Sequence, residues 1–278
     1  MISAVLDDDT RIEHMAYALK HGPAPLEGPL ASDGAISIVG YGSSLKETWQ
    51  DIEGPIAAMS GAAEFLESRG VQVDYYIGLE PRAHKLKWLS RPSAHTTYLM
   101  ASVCCPFTWA MLEGYNVRRW HALGPPKVRE WLLATDPQGL RIKTGSEVGT
   151  ATLRLMWKMG FRRFHLHGMD HIAGYAGECP NPGQTLISHQ GIITTPQLLF
   201  GALQMAKSLE RVEHTIHGPS LLKVLTTKVR SRPITLVTEG RASLIALPNN
   251  TPTFDHEGFL EEARMASQGA IPSSLTIL

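Results

Sequence analysis

Short apolar runs that stop at a glycine or proline, each followed by a stretch with helical spacing, limit what this chain can fold into. AISIVG (35–40), PIAAMS (55–60), VDYYIGLEP (73–81), HTTYLMAS (95–102), NVRRWHAL (116–123) and FRRFHLHGMD (161–170) are such runs. A strand that is apolar along most of its length is buried on both faces, and only helices above and below a sheet supply that cover. Strands alternating with helices therefore predict βαβ units and a mostly parallel sheet.

The helices between the runs carry their own punctuation. GAAEFLESRG ends on Gly70 at the usual C-terminal glycine position. PFTWAMLEG (106–114) has proline in its first turn and glycine after its last. SEVGTATLRLMWKMG (146–160) presents the stripe Val148, Ala151, Leu155, Met159. Residues 124–144, with Pro125-Pro126 and Asp136-Pro137, read as a connection. QTLIS and GIITT predict a hairpin around His189-Gln190-Gly191, and Thr195-Pro196 opens a long helix to about Glu210. A strand (212–217) and a short helix (219–225) follow. Residues 9–20 predict an amphipathic helix joined by a Pro/Gly-rich linker (21–34) to the rest. The expected organisation is an N-terminal arm (1–34), an α/β domain with a Rossmann-like, mostly parallel sheet flanked by helices (35–228), and a small C-terminal extension (229–278).

Composition narrows the function classes. Hydrophobic residues at 43% against 19% charged provide for a core and argue against wholesale disorder. Lys plus Arg equals Asp plus Glu, so a non-specific grip on nucleic-acid phosphates is not expected, although a nucleic-acid acceptor stays open. The three cysteines, Cys104, Cys105 and Cys179, form no disulfide framework and no C-x-x-C pair, which fits a cytoplasmic protein. No apolar run reaches the ~18–20 residues of a membrane span.

Parallel sheets bind ligands beyond the carboxyl ends of their strands, which selects four loops. Gly40-Tyr41-Gly42-Ser43-Ser44 offers a sharp turn, room for close approach and two hydroxyls before a helix, where free N–H groups favour an anion. It matches neither G-x-G-x-x-G nor a P-loop, and a tight turn with a serine cap reads equally well. Gly145-Ser146 opens a second helix, in which Gly149 implies close packing against a strand or ligand. His165, His167 and Met169 alternate toward Asp170-His171, where a carboxylate could meet a metal, phosphate or ribose; a zinc site lacks a third ligand. Glu80-Pro81-Arg82 places another carboxylate at a strand end. Tyr175, His189 and Gln190 lie in later loops that could close the site, and Cys104-Cys105 read as buried apolar residues.

Together these motifs resemble the 6-hydroxymethylpterin diphosphokinase MptE-like family, with kinship to the central domain of the Maf flagellin-glycosylation proteins and, more distantly, to bacterial CMP-sugar sialyltransferases. The resemblance runs over about residues 35–225. It implies a nucleotide site at Gly40, Gly42, Ser43, Ser44, Gly145 and Ser146, an acidic motif at Asp74 and Glu80, and a last loop at Gly168 and Asp170. Ser43 stands where the family usually has proline, and Glu80 where it usually has aspartate.

The resemblance implies a transferase using a nucleotide donor. A glycosyltransferase acting on a small-molecule or glycan acceptor would use His171 or His189 as base, beside Asp170. A Mg-ATP diphosphokinase would hold magnesium on Glu80 and Asp170. A nucleotide-binding protein without chemistry is the alternative from another class. The arm leaves a homo-oligomer open.

Overall fold

The computed structural model describes residues 6–31, 33–89, 91–173, 186–189 and 191–227, with the backbone of 234–238 and 241–245. Tyr175, Cys179, Gln190 and the rest of the C-terminal extension lie outside the described residues.

The first strands and helices follow the apolar pattern. β1 (Ala35–Val39), β2 (Ile56–Met59), β3 (Tyr75–Gly78), β4 (Thr97–Ala101) and β5 (Val117–Ala122) pair in parallel as successive neighbours. A short helix, α2 (Leu45–Thr48), then α3 (Gly61–Glu67) and α4 (Pro106–Met111) lie between them. Residues 83–89, for which the sequence shows no pattern, form a 3-10 helix. The expected connection at 124–144 instead holds α5 (Pro126–Thr135) and the two-residue β6 (Arg141–Ile142), paired with β5. Pro126 stands at the start of α5, where its missing N–H would be unpaired in any case, and Val128 and Leu132, one turn apart, are buried.

α6 (Val148–Lys158) then carries the chain back across the sheet to β7 (Arg163–His167), which pairs with the other side of β1. β8 (Leu186–His189) and β9 (Ile192–Thr194) form the expected antiparallel hairpin, and α7 (Pro196–Leu209) is capped by the Thr195 hydroxyl on the Leu198 amide at 3.2 Å. β10 (Glu213–Ile216) pairs with β7, and α8 (Leu221–Thr226) follows. The large sheet reads β10-β7-β1-β2-β3-β4-β5-β6, parallel throughout. β11 (Ile234–Thr238) and β12 (Arg241–Ile245) join the hairpin in a second sheet, β12-β11-β8-β9. The strands of the expected C-terminal extension are therefore bonded to a hairpin from before α7.

The N-terminal segment belongs to this same body. α1 (Asp8–His21) is opened by the Asp7 carboxylate on the Thr10 amide at 2.8 Å, and it packs on α4 and α5. Met15, Ala18 and Leu26 are buried in the common core. The Pro/Gly-rich segment runs beside β5, with Leu26 N–H donating to Arg119 O at 2.7 Å and Arg119 N–H to Ala24 O at 3.0 Å. The Arg119 guanidinium donates to Ala18 O and Pro23 O. The segment expected as an arm is thus packed on the α/β body of its own chain. Met15→Ala should destabilise the whole protein by roughly 2–5 kcal/mol in urea unfolding, as core truncation does; a change of only a few tenths would mark a detachable arm.

Candidate active site

The strand order reverses at β1. From β1 the chain proceeds outward through β2 to β6, whereas β7 and β10 lie on its other side. That reversal makes the β7/β1 boundary the topological switch point, and three strand-end loops meet there.

The first and third loops are bonded to each other. Gly40 N–H donates to His167 O at 2.9 Å and Gly42 N–H to Gly168 O at 2.8 Å. The Asp170 carboxylate, 3% exposed, accepts the Ser44 amide at 2.8 Å, the Ser43 hydroxyl at 3.1 Å and the Ser44 hydroxyl. A β-carbon on Gly42 would stand 2.6 Å from the Asp170 carboxylate and from Gly168 O, and one on Gly40 would stand 2.5 Å from the Met169 sulfur. The two glycines therefore admit the neighbouring loop, where close approach by a ligand was the expectation. The seat for an anion at the start of α2 is filled by Asp170 itself. The Tyr41 and Ser43 amides take no protein acceptor among the described residues. The Tyr41 ring turns away, edge-on to Phe65 and Trp88. Trp88 also lines a groove of about 240 Å³ with Glu64, Glu67, Arg91 and Tyr98.

The second loop closes on the third. Gly145 is left-handed (φ 74°), and the Ser146 amide donates to Gln204 Oε1 at 2.7 Å. Gly149 packs against the Met169 methyl, so the close approach inferred from a mid-helix glycine is made by this side chain. β7 ends at His167, and Met169 lies in the loop between Gly40 and Gly149 instead of continuing the strand. His171 is buried and left-handed (φ 53°). Its Nε2 lies 2.7 Å from Glu147 Oε1, and its Nδ1 lies 3.2 Å from Met169 O. Both ring nitrogens face acceptors, an arrangement that favours the doubly protonated ring. Burial opposes that charge, but the Glu147 charge and hydrogen bond outweigh it and hold the pKa above the ordinary value. Both ring nitrogens are engaged within the protein, so His171, expected as a base, stands here as the partner of Glu147. The missed partner is Glu147, whose sequence signal is an acidic residue just before the glycine-bearing helix.

The remaining candidates stand apart. Glu80 follows β3 and binds Arg82, Nη2 to Oε2 at 2.8 Å. Its strand is three spacings from β7, roughly 14 Å, whereas oxygens sharing one magnesium lie within about 4 Å of each other. The arrangement separates the carboxylates expected to share a metal: Glu80 is bonded to Arg82 in its own loop, and Asp170 to the serines of the β1 loop. Among the described residues no group of three or more His, Cys, Asp or Glu could hold a metal ion. Asp74 accepts the Ile56 amide at 2.8 Å before β3 begins, at the sheet end opposite the loops. His189 is buried on β8, its Nδ1 without a partner among the described residues, and burial lowers its pKa. The hairpin reaches the third loop through the Thr194 hydroxyl on His171 O at 2.6 Å.

Two buried clusters were not foreseen. The Ser102 hydroxyl meets His121 Nδ1 at 2.7 Å, and His121 Nε2 meets Asp136 at 3.0 Å. The order is that of a hydrolytic triad, but Ser102 is fully buried and tied by its amide to Trp120 O, so the chain reads as a structural tie between β4, β5 and the end of α5. His167, at 0% exposure, stacks on His217 at 4.0 Å with both ring nitrogens unpartnered among the described residues. Burial, with His217 and His165 beside it, pushes its pKa down to about 3. Cys104 and Cys105 are buried free thiols, as expected.

A parallel sheet with its loops gathered at a switch point defines a Rossmann-like α/β protein. The family described as 6-hydroxymethylpterin diphosphokinase MptE-like matches residues 11–174, and the chain belongs to that family. The match begins within α1, earlier than the motifs indicate, in line with the packing of that helix. The fold is similar to MAf glycosyltransferase from Magnetospirillum magneticum AMB-1, with TM-score 0.59 and 15% identity over 81% of this chain and 39% of that one. The chain thus spans well under half the length of that protein. Among curated proteins none matches. No helix among the described residues is long and apolar enough to cross a membrane.

Two outcomes follow from the clasp and the histidines. Asp170→Asn should lower unfolding stability by about 1.5–3 kcal/mol, because charge-assisted bonds to both serines are weakened; an unchanged urea midpoint would refute the clasp. The pKa values of His121, His167, His189 and His217 are lowered, so their neutral forms stabilise the fold fully above about pH 6.5 and less as pH falls toward the folded values. His171 acts oppositely: its contribution is complete below about pH 6.5 and lost as pH rises through its raised value. Stability should therefore drop between pH 7.5 and 5, by on the order of 2 kcal/mol for His167, and His167→Phe should flatten the profile.

Proposed function

We propose that this protein is a nucleotide-dependent group transferase, in its glycosyl-transferring form. The observation that carries the reading is the convergence of three strand-end loops at the switch point, with the Tyr41 and Ser43 amides left to meet an anion. The α6 terminus at Gly145-Ser146 supplies further amides with no earlier carbonyl to bond, beginning at Val148. In this reading the Gly40–Ser44 loop meets the donor phosphates through the Tyr41 and Ser43 amides as one wall, and the start of α6 after Gly145-Ser146 forms another. Asp170 keeps the walls together, and His189, neutral by burial, or a carboxylate takes the proton of the acceptor hydroxyl. Membership of the MptE-like family and the glycosyltransferase name of the similar structure both fit a transferase.

Diphosphate transfer from Mg-ATP, which the family description names, is the second reading. Glu80 and Asp170 lie at separate strand ends, which favours sugar transfer over a reaction that needs both on one magnesium. A nucleotide-binding protein without chemistry would bind through the same loops.

Thermal unfolding with CMP, UDP, ATP, GTP and the CMP- and UDP-sugars, with and without magnesium, checks the reading. Stabilisation by CMP or UDP and their sugars is expected, about 2.7 kcal/mol at a hundredfold excess over Kd. Stabilisation only by Mg-ATP would move the assignment to diphosphate transfer, and no shift with any nucleotide would sink both.

A further inference from the structure

Three local penalties surround Glu147 and His171. Gly149 stands in the first turn of α6 and Gly201 within α7, where glycine is unfavourable relative to alanine. A β-carbon on Gly201 would lie 2.7 Å from Glu147 Oε2 and 2.8 Å from its Cδ, so that glycine makes room for the carboxylate. A β-carbon on Gly149 would press on the terminal methyl of Met169, in the loop that carries His171. His171 holds a left-handed backbone at φ 53°, fixed by the Thr194 hydroxyl on its carbonyl. Gly201 and the His171 backbone serve a carboxylate seated at the start of α6 and held on one oxygen by the His171 ring, and Gly149 leaves room for the Met169 side chain beside it. The Glu147 side chain keeps 24% exposure, whereas that of His171 has 3%. The partly open carboxylate stands at the start of α6, beside the loops gathered at the switch point.

We propose that Glu147 is the base of the transfer reaction and His171 its positioning residue; this rests on the transferase reading above. In the step, the acceptor hydroxyl oxygen bonds to the anomeric carbon of the donor sugar. The bond from that carbon to the donor phosphate oxygen breaks, its electron pair leaves with the nucleotide, and the hydroxyl proton passes to Glu147. His171 stays protonated throughout, holding Oε1 so that the second oxygen is presented to the acceptor.

The test measures nucleotide release from CMP- and UDP-sugars by the full chain, alongside nucleotide binding by calorimetry. Glu147→Gln should lower kcat by about 100-fold or more while donor binding stays within about threefold. Glu147→Asp, which keeps the charge on a shorter stem, should recover part of the loss if the fold is intact. His171→Asn suits the left-handed backbone, and it should alter the pH profile of kcat; a merely structural loss would lower turnover equally at every pH. Independently of activity, the His171 ring should be doubly protonated by nitrogen NMR at neutral pH in the wild type and lose that proton at lower pH in Glu147→Gln. Glu147→Gln with wild-type turnover would overturn the proposal. Loss of turnover in His189→Asn with Glu147→Gln unaffected would assign the base to His189. A wild type that binds nucleotide but releases none from any donor would sink the transferase reading and this inference with it, whereas turnover with an indifferent Glu147→Gln sinks the inference alone.

Discussion

The site depends on one buried carboxylate. Asp170 takes the Ser44 amide and the hydroxyls of Ser43 and Ser44, joining the end of β7 to the start of α2. An anion at that place is favoured by the unpaired amides of the helix start, and here the protein supplies its own. The glycines at 40 and 42 follow from it, because any side chain there would hold the two loops apart. So does the polarity of what remains: with alternate amides bonded to the β7 loop, those of Tyr41 and Ser43 are the ones left for a ligand.

The same economy recurs in the other buried polar groups. Glu147 with His171 and Ser102 with His121 and Asp136 each join segments far apart in sequence through hydrogen-bonded charge. A buried charge without a partner costs several kcal/mol, so each such group must be met by the fold in one arrangement only. His167 and His217 follow a different rule. They are stacked, burial lowers the pKa of both, and the fold bears the penalty as sensitivity to acid.

Much of this architecture is legible in residue order, and the gaps have physical causes. Strands buried on both faces announce themselves as apolar runs, and the glycines after β1 and β7 and before α6 mark the loops that meet. α5 is obscured because Pro125-Pro126 reads as a break, although proline is compatible with a first helical turn, and because its buried face is narrow, with Val128 and Leu132 buried and Trp131 partly so. The segment 21–34 resembles a linker by composition, yet Ala24 and Leu26 bond to Arg119 as an added strand would. Proline and glycine content speaks to local stiffness and says nothing about what a neighbouring strand edge accepts. The loop pairings were invisible for a related reason. Ser44 and Asp170 are 126 residues apart, and only the sheet order brings them together. Spacing revealed that the loops carry polar groups; which groups neutralise one another is a tertiary fact.

That distinction decides how far fold likeness reaches. A shared Rossmann-like sheet fixes where loops gather, and it hosts many chemistries. What separates sugar transfer from diphosphate transfer is where the carboxylates stand. A phosphoryl donor with magnesium calls for acidic oxygens converging on one ion. Here Glu80 is turned to Arg82 at the end of β3, and Asp170 is spent on the serines at the end of β7. An acidic group left partly open at the loop cluster is Glu147, with His171 Nε2 on one of its oxygens. A lone carboxylate of that kind suits removal of a proton from a hydroxyl better than the holding of a divalent ion. The chemistry proposed for this chain therefore rests on how its carboxylates are distributed, since the sheet itself would serve either reaction.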